Sequence, residues 1–428
     1  MIATAMTLLL VLIGLSIPVG AALGVLGLVL DPLFSMLPLS RALGEVSWST
    51  STEFLLVAIP LFIMLGEVLL RAGFAERMYN AMSMWLAWLP GGLMHANIGA
   101  STLFSATSGS SVATAATVGT VAIPQIRRYG YNEPLFLGSI AAGGTLGILI
   151  PPSINLVIYG VLTNSSVPKL YLAGIIPGFA LALLFMVTIV IACLIKPAWG
   201  GRKVEASWPE RFASLVHLLP PMGIFLLVVG SIYAGLATPT EAAALGVLGA
   251  LILAAVHGRL TVAMLREVLE GTMRSTAMIM LIVIAAAFLN FVMAATGLTN
   301  ALTSSITGLG LSPAWMLLVV IIFYLVLGCF METLSMMITT IPIIAPIMIG
   351  LGYDPIWLGI VIVMLVEAAL ITPPVGMNLF VVQSLRKSGS MNAVIVGSLP
   401  FVLSLFVLLA LVSIFPGLAL WLPTVFSD

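Results

Sequence analysis

The hexapeptide Ala22-Leu23-Gly24-Val25-Leu26-Gly27 returns unchanged at Ala244 to Gly249, and other punctuation recurs at nearly the same offset, about 222 residues. Gly73 answers to Gly297, Gly130-Tyr131 to Gly352-Tyr353, Gly138 to Gly359, Pro151-Pro152 to Pro373-Pro374 and Asn155 to Asn378. Glycine and proline fix the points at which a chain turns, breaks or packs closely. Two copies of one structural unit are therefore expected, and any fold for this chain must be built twice from the same parts.

Those parts are apolar. Of 428 residues, 61% are hydrophobic and 7% charged, against roughly 25% charged in soluble domains. The chain reads as a polytopic membrane protein. Its 15 basic and 15 acidic residues cancel, which leaves no electrostatic case for nucleic acid. Cys193 and Cys329 lie in apolar runs and argue for neither a disulfide framework nor a metal site, and His95, His217 and His257 are scattered. The first apolar run lacks a basic n-region and belongs to the repeat, so it is read as a membrane helix and not as a signal peptide.

A crossing helix needs about 20 apolar residues. On that scale the first repeat, 1–195, holds helices near 2–16, 17–36 and 53–70, an amphipathic stretch at 39–50, a connecting helix at 74–88 and a last helix at 170–195. The apolar run 91–126 is interrupted by Ser108-Gly109-Ser110-Ser111, as in a re-entrant hairpin whose tip stops inside the protein. A helix over 133–163 is broken at Pro151-Pro152-Ser153-Ile154-Asn155. A polar linker, 196–216, separates the copies. The second repeat, 217–428, supplies helices at 217–235, 238–257, 275–294 and 392–421 and an amphipathic stretch at 260–272. Its hairpin, 313–350, has the tip Glu332-Thr333-Leu334-Ser335, and its broken helix, 355–384, is interrupted at Pro373-Pro374-Val375-Gly376-Met377-Asn378.

The expected fold is all-α and polytopic, with five spanning helices, one re-entrant hairpin and one broken helix per repeat. Five is odd, so the second copy enters the membrane from the opposite side and the repeats are inverted. Inverted repeats with discontinuous helices are the signature of a secondary transporter. With the N-terminus outside, every basic residue except Arg41 and Lys169 falls on the cytoplasmic side, Lys203 and Lys387 included, as the positive-inside rule requires. The first hairpin then opens to the cytoplasm and the second to the exterior.

A helix that stops at mid-membrane exposes unpaired N–H or C=O groups, which need an ion, a ligand or a polar side chain. Half-helix carbonyls with Ser, Thr and Asn oxygens suit Na⁺, and half-helix N-termini suit a carboxylate. A first cation site is expected from Ser105, Ser108 and Gly109 at the first tip with Gly144, Thr145 and Asn155 at the first break, and Ser110 and Ser111 complete that tip. A second is expected from Gly328, Thr333 and Ser335 with Thr372, Gly376 and Asn378. Each tip is expected to face the broken helix of its own copy.

Small residues also let membrane helices pack closely, but packing alone does not demand Pro-Pro followed by Asn at matching places in both copies. Acidic residues at membrane depth are functional candidates. Glu332 stands where the first copy has Ser110, and Glu367 where it has Thr145. Both are candidates for substrate binding or gating, as are Ser110 and Ser111 of the first tip, although Glu332 also fits a cap on its own half-helix. Arg127, at the cytoplasmic end of the first hairpin, is a candidate for a substrate carboxylate. Glu67 reads as an interfacial anchor, and Glu241 after Thr238-Pro239-Thr240 as a helix cap.

The run from Ser108 to Asn155, with Gly-Tyr-Asn-Glu-Pro at 130–134, resembles the large membrane subunit of tripartite ATP-independent periplasmic transporters. So do Ala237-Thr238-Pro239-Thr240-Glu241-Ala242-Ala243-Ala244, Gly-Tyr-Asp-Pro at 352–355 and Thr372 to Asn378. The likeness covers essentially the whole chain. It implies a secondary transporter of the bacterial inner membrane, with periplasmic termini, driven by a sodium gradient through an elevator movement. It also implies two partners, a small four-helix membrane subunit and a periplasmic binding protein, and an organic-acid substrate such as a C4-dicarboxylate or sialic acid. The family's sodium sites, carried onto this sequence, fall at the two tips with their breaks.

A self-sufficient sodium/carboxylate symporter also uses inverted repeats with two hairpins, but its Ser-Asn-Thr signature is absent from both tips. A membrane enzyme would need a His or carboxylate cluster near one face, and an ATPase a Gly-x-x-x-x-Gly-Lys loop. The sequence has neither.

Overall fold

The computed structural model describes all residues except 16, 203–205, 309, 329–330, 374–375, 387 and 427–428, and the side chains of 13, 306 and 307 are likewise left aside. Lys203, Cys329, Pro374, Val375 and Lys387, all named above, thus lie outside the described residues. Every regular element among the described residues is helical. Six of these helices are long and apolar enough to cross a membrane, or seven if the bent pair Trp208–His217 and Leu219–Tyr233 is one span. Other apolar helices, such as Ile154–Thr163, Pro313–Leu327 and Pro355–Ile371, run for only 10–17 residues.

The breaks fall where glycine and proline place them. The helices Leu93–Ser108 and Ser111–Tyr129 are joined through Gly109, whose φ of 60° lies in the left-handed region. Glu133–Thr145 gives way to a 3-10 turn at Leu146–Ile148 and to Ile154–Thr163 after the two prolines. In the second half Pro313–Leu327 and Thr333–Gly350 flank the second tip, and Pro355–Ile371 and Met377–Ser384 flank the second break.

Four expectations need correction. The stretch 260–272 and the helix 275–294 form one continuous helix, Val262–Ala295. No proline interrupts it, and Gly271 serves a close approach to the Glu67 carboxylate instead of a break. Its first-half counterpart is jointed into Leu43–Ser51 and Ala58–Arg71, with Pro60 tolerated in the first turn of the latter. The last helix ends at Ile414, because Phe415 precedes Pro416 and is pushed out of the helical region, and Gly417–Val425 forms a separate helix. Leu298–Thr307 is helical after Gly297 (φ 73°), as Phe74–Leu86 is after Gly73 (φ 79°). The linker also holds a short helix, Trp208–Ser214, closed by a capping box between Ser207 and Glu210 and tied to the first half by the Trp85 indole N–H, which donates to the Arg211 carbonyl at 3.0 Å.

Burial separates inner from outer helices. Every residue of Pro355–Ile371 from Trp357 onward is buried, and Leu93–Ser108 and Glu133–Thr145 are nearly so. Outer helices such as Leu219–Tyr233, Pro239–Val256 and Val262–Ala295 carry exposed leucines and isoleucines, among them Leu226, Leu248, Ile252 and Leu281. Apolar side chains on that perimeter are stable only against lipid. Without a hydrophobic force between helices in lipid, association relies on close packing at small residues. Val262–Ala295 seats Phe288 in the notch left by Gly27, where an added Cβ would stand 2.9 Å from the ring. Met391–Ile414 meets Glu133–Thr145 through Gly397 and Gly138, with no room for a side chain on either.

Candidate functional site

Both tips and both breaks border one cavity of about 310 Å³. The first hairpin contributes Ser108, Gly109, Ser110 and Ser111, the first broken helix Asn155, and the second tip Glu332 and Thr333. Leu370 and Met377 flank the second break at its wall. The opposite wall comes from outer helices, through Gly66, Glu67, Ser275 and Ile279.

The first tip packs on the break of its own copy. A Cβ on Gly109 would lie 3.0 Å from the Pro152 carbonyl oxygen, and one on Gly147 would lie 2.8 Å from the Ser110 carbonyl. Ser110 caps the second arm by accepting from the Ala113 N–H at 3.4 Å, and Ser108 shares a hydrogen bond with Thr114 at 3.1 Å. Ser153 caps the half-helix beyond the break, accepting from the Leu156 N–H at 3.3 Å. The peptide between Pro151 and Pro152 is cis.

Some polar atoms find no partner. The hydroxyls of Ser105 and Ser111, the amide nitrogen of Asn155 and the amide oxygen of Asn378 are all buried without a hydrogen-bond partner among the described residues. A buried polar group left unpaired costs about 1–3 kcal/mol; Ser111 and Asn155 line the cavity, whereas Ser105 and Asn378 lie outside its lining. Thr145 is not among the unpaired groups, since its hydroxyl donates to the Ala142 carbonyl of its own helix at 2.8 Å. Thr372 likewise donates to the Ala368 carbonyl at 2.6 Å.

The second tip differs in chemistry. Glu332 is the N-cap of Thr333–Gly350: it accepts from the Ser335 N–H at 3.2 Å and from the Thr333 hydroxyl at 2.9 Å. Its carboxylate thus performs for the second tip the capping that Ser110 performs for the first. Gly328 packs against Ala369 of the second broken helix, and Gly376 (φ 54°) precedes the half-helix Met377–Ser384 in a conformation that suits only glycine. Asn378, expected beside this tip, instead reaches the first copy. Its amide donates to the Ala141 carbonyl at 3.1 Å and lies against Gly144, where an added Cβ would also meet the Ser111 carbonyl at 3.1 Å.

Ser105, Gly144, Thr145, Gly328, Ser335, Thr372, Gly376 and Asn378 lie outside the lining of this cavity, as do Arg127 and Glu367. Arg127 borders a separate cavity with Glu133 and Arg386. Glu367 lies in the buried second broken helix, fully enclosed. Conversely, Glu67, read from sequence as an interfacial anchor, faces the cavity. It is paired with Arg71, which also reaches Glu267 at 3.3 Å. The available signal was its neighbour Gly66, a glycine beside an acid in an otherwise bulky apolar helix. Glu241 is the helix cap it was taken for, in a capping box with Thr238.

Apolar outer helices around a polar cavity bounded by two helix-breaking tips and two broken helices define a multi-pass membrane transport protein. Residues 6–418 match the family described as the tripartite ATP-independent periplasmic transporter, DctM component, and the chain belongs to that family. It is similar to the C4-dicarboxylate TRAP transporter large permease protein DctM of Pseudomonas aeruginosa, with 38% identity over 90% of this chain and 89% of that protein. It is also similar to the sialic acid TRAP transporter large permease protein SiaM of Vibrio cholerae, with 34% identity over 87% of each. The YdaH transporter of Alcanivorax borkumensis, a crystal structure described as having an unusual topology, shares the fold with a TM-score of 0.64 at 19% identity, over 94% of this chain and 96% of that one. These relatives are permeases, and the chain is a transport subunit, not an enzyme.

Proposed function

We propose that this chain carries an organic acid of the C4-dicarboxylate or sialic acid class across the bacterial inner membrane, driven by an inward sodium gradient. The observation that carries the reading is the cavity on which both tips and both breaks converge, with the Ser111 hydroxyl and the Asn155 amide in its wall. Sodium bound there takes side-chain oxygens of the first tip and its break as ligands, and the capped half-helix starts at Ser111 and Thr333 offer positive dipole ends to a carboxylate. The substrate class follows the printed names of the relatives. Sodium is cargo in this reading, and the cavity holds both solutes together.

The same reading includes two inverted repeats, 1–195 and 217–428, joined by a cytoplasmic linker, with both termini periplasmic. An inner group made of hairpins and broken helices moves as an elevator against the outer helices. Gly66 supports that division, because the outer helix meets the inner Ser108 there at backbone distance. A separate small four-helix subunit and a periplasmic binding protein complete the system, as the word tripartite in the family description indicates. Proteoliposomes containing all three components test the proposal. Uptake of succinate or a sialic acid is expected under a sodium gradient and not when potassium replaces sodium; undiminished uptake in potassium would sink the coupling.

A further inference from the structure

Resting on the transport reading above, we infer that the cavity bordered by Arg127 and Arg386 is a second site for the transported organic acid. It takes a carboxylate on the cytoplasmic side, without sodium, as the cargo leaves.

The two cavities have opposite electrostatic character. The lining of the first contains no lysine or arginine and includes the carboxylates Glu67 and Glu332, the former sharing its partner Arg71 with Glu267. An organic acid there depends on bound sodium for its counter-charge. The second cavity, of about 360 Å³, is lined by Arg127, Glu133, Arg386 and Ser388 with Ile123 and Pro124 beside them. Two arginines against one glutamate leave one positive charge on its described walls.

The two arginines act differently. Arg386 is enclosed and already committed: it donates to Glu133 at 2.7 Å, to the Gln383 side chain at 3.0 Å and to the Ser390 carbonyl at 3.1 Å. Arg127 is exposed and has no hydrogen bond or ion pair among the described residues. Its guanidinium can take a carboxylate in the two-pronged geometry that arginine favours, while Arg386 fixes the opposite wall.

One helix face joins the cavities. Ser111–Tyr129 lines the first with Val112 and Ala113 and the second with Thr120, Ile123, Pro124 and Arg127. Residues three and four apart share a face, and Ala113, Ala116, Thr120, Pro124 and Arg127 follow that spacing with none of them buried. On the opposite face Ala115, Val118, Ala122 and Ile126 are buried. The uncovered strip from Ala113 to Arg127 is about 21 Å long, at roughly 1.5 Å per residue. It is not built like the lipid-facing helices, which expose bulky side chains such as Leu226 and Ile252. Small residues dominate it, and the Thr120 hydroxyl turns back to the Ala116 carbonyl at 2.8 Å, so its middle offers no donor to hold an anion in transit. In the orientation proposed above, Arg127 ends the strip at the cytoplasmic face.

Binding without sodium separates this site from the first. Succinate binding to the purified chain is measured by calorimetry in sodium-free potassium buffer. Saturable binding is expected, weakening as ionic strength rises. Arg127→Gln is expected to reduce the affinity roughly tenfold or more, as loss of a charge-assisted hydrogen bond implies. Arg128→Gln, which removes a neighbouring charge outside the cavity, should leave the affinity unchanged. Equal binding by Arg127→Gln and the native chain, or no sodium-free binding at all, overturns the inference. So does an Arg127-dependent rise in thermal midpoint with phosphatidylglycerol but not with succinate, which makes the cavity a lipid site. Ala116→Phe, on the strip between the cavities, is expected to slow sodium-driven succinate uptake by the three-component system and to spare sodium-free binding; native uptake in that variant refutes the route. Sodium-driven uptake without any sodium-free binding removes the second site and leaves the transport reading standing. Sodium-free binding that needs Arg127, in a system with no sodium-driven uptake, overturns the coupling and leaves the anion site in place.

Discussion

The Asn378 amide donates to the Ala141 carbonyl at 3.1 Å, so the break of the second half is pinned to the unbroken part of the first half's broken helix. One residue thereby ties the two halves together at the wall of the Ser111 tip, while its own amide oxygen stays unpaired.

Asn378→Ala removes both the donor to Ala141 and the spare oxygen. The stranded carbonyl should cost about 1–3 kcal/mol of stability, and the sodium concentration for half-maximal uptake should rise. Thermal unfolding in detergent and sodium titration of uptake measure the two effects separately. A variant with native sodium activation would remove Asn378 from the cation site and leave it a strut.

Gly66 faces Ser108 tightly, since an added Cβ would lie 3.1 Å from the Ser108 Cα and carbonyl oxygen and would push that backbone aside. Overpacking costs about 1–3 kcal/mol, so Gly66→Val should slow uptake roughly ten- to a hundredfold. Binding of the small subunit, assayed by co-purification, should persist. Native turnover in this variant would show that inner and outer helices need not stay in register at this point.

Much of this was legible in the sequence, for a simple reason. Gly109, the Pro151-Pro152 pair and Gly376 act through their own backbones, so their breaks appear at the positions their chemistry names. Partnership is another matter. That Asn378 sits against Gly144 depends on how two distant helices cross, and no spacing along the chain encodes it. Glu67 was misplaced because a glutamate near a helix end looks the same whether it faces water, lipid headgroups or a cavity. The continuous helix Val262–Ala295 was missed because its amphipathic first part and its apolar second part read as separate elements, although no helix breaker stands between them.

Glu332→Ala should lose the cap of the second hairpin arm, at a cost of about 1 kcal/mol, and loosen that tip. Glu332→Asp, a good capping residue, should restore it. Hydrogen exchange of residues 333–336 reports the cap directly. If Asp restores protection but not uptake, the carboxylate also contacts cargo.

The pair between Arg386 and Glu133, at 2.7 Å, is lopsided: the Arg386 side chain is 4% exposed and that of Glu133 47%. Glu133→Ala should therefore destabilise more than Arg386→Leu, because it removes the counter-charge of an enclosed cation whose other partners among the described residues are the neutral Gln383 side chain and the Ser390 carbonyl. The difference should be about 1–3 kcal/mol, that of a hydrogen bond to a charged group. Comparing the thermal midpoints of the two variants decides it.

The helix Val262–Ala295, at 34 residues, is a rod about 51 Å long, well beyond the roughly 30 Å of a bilayer's hydrocarbon. Its first-half counterpart is jointed between Ser51 and Phe54, where the Thr52 hydroxyl donates back to the Trp48 carbonyl. The two sides of the protein consequently answer differently to membrane thickness. In a thinner bilayer the rod can only tilt, carrying its neighbours with it, whereas the joint can fold. Lipid chain length should bear on the stance of the second half more than on that of the first.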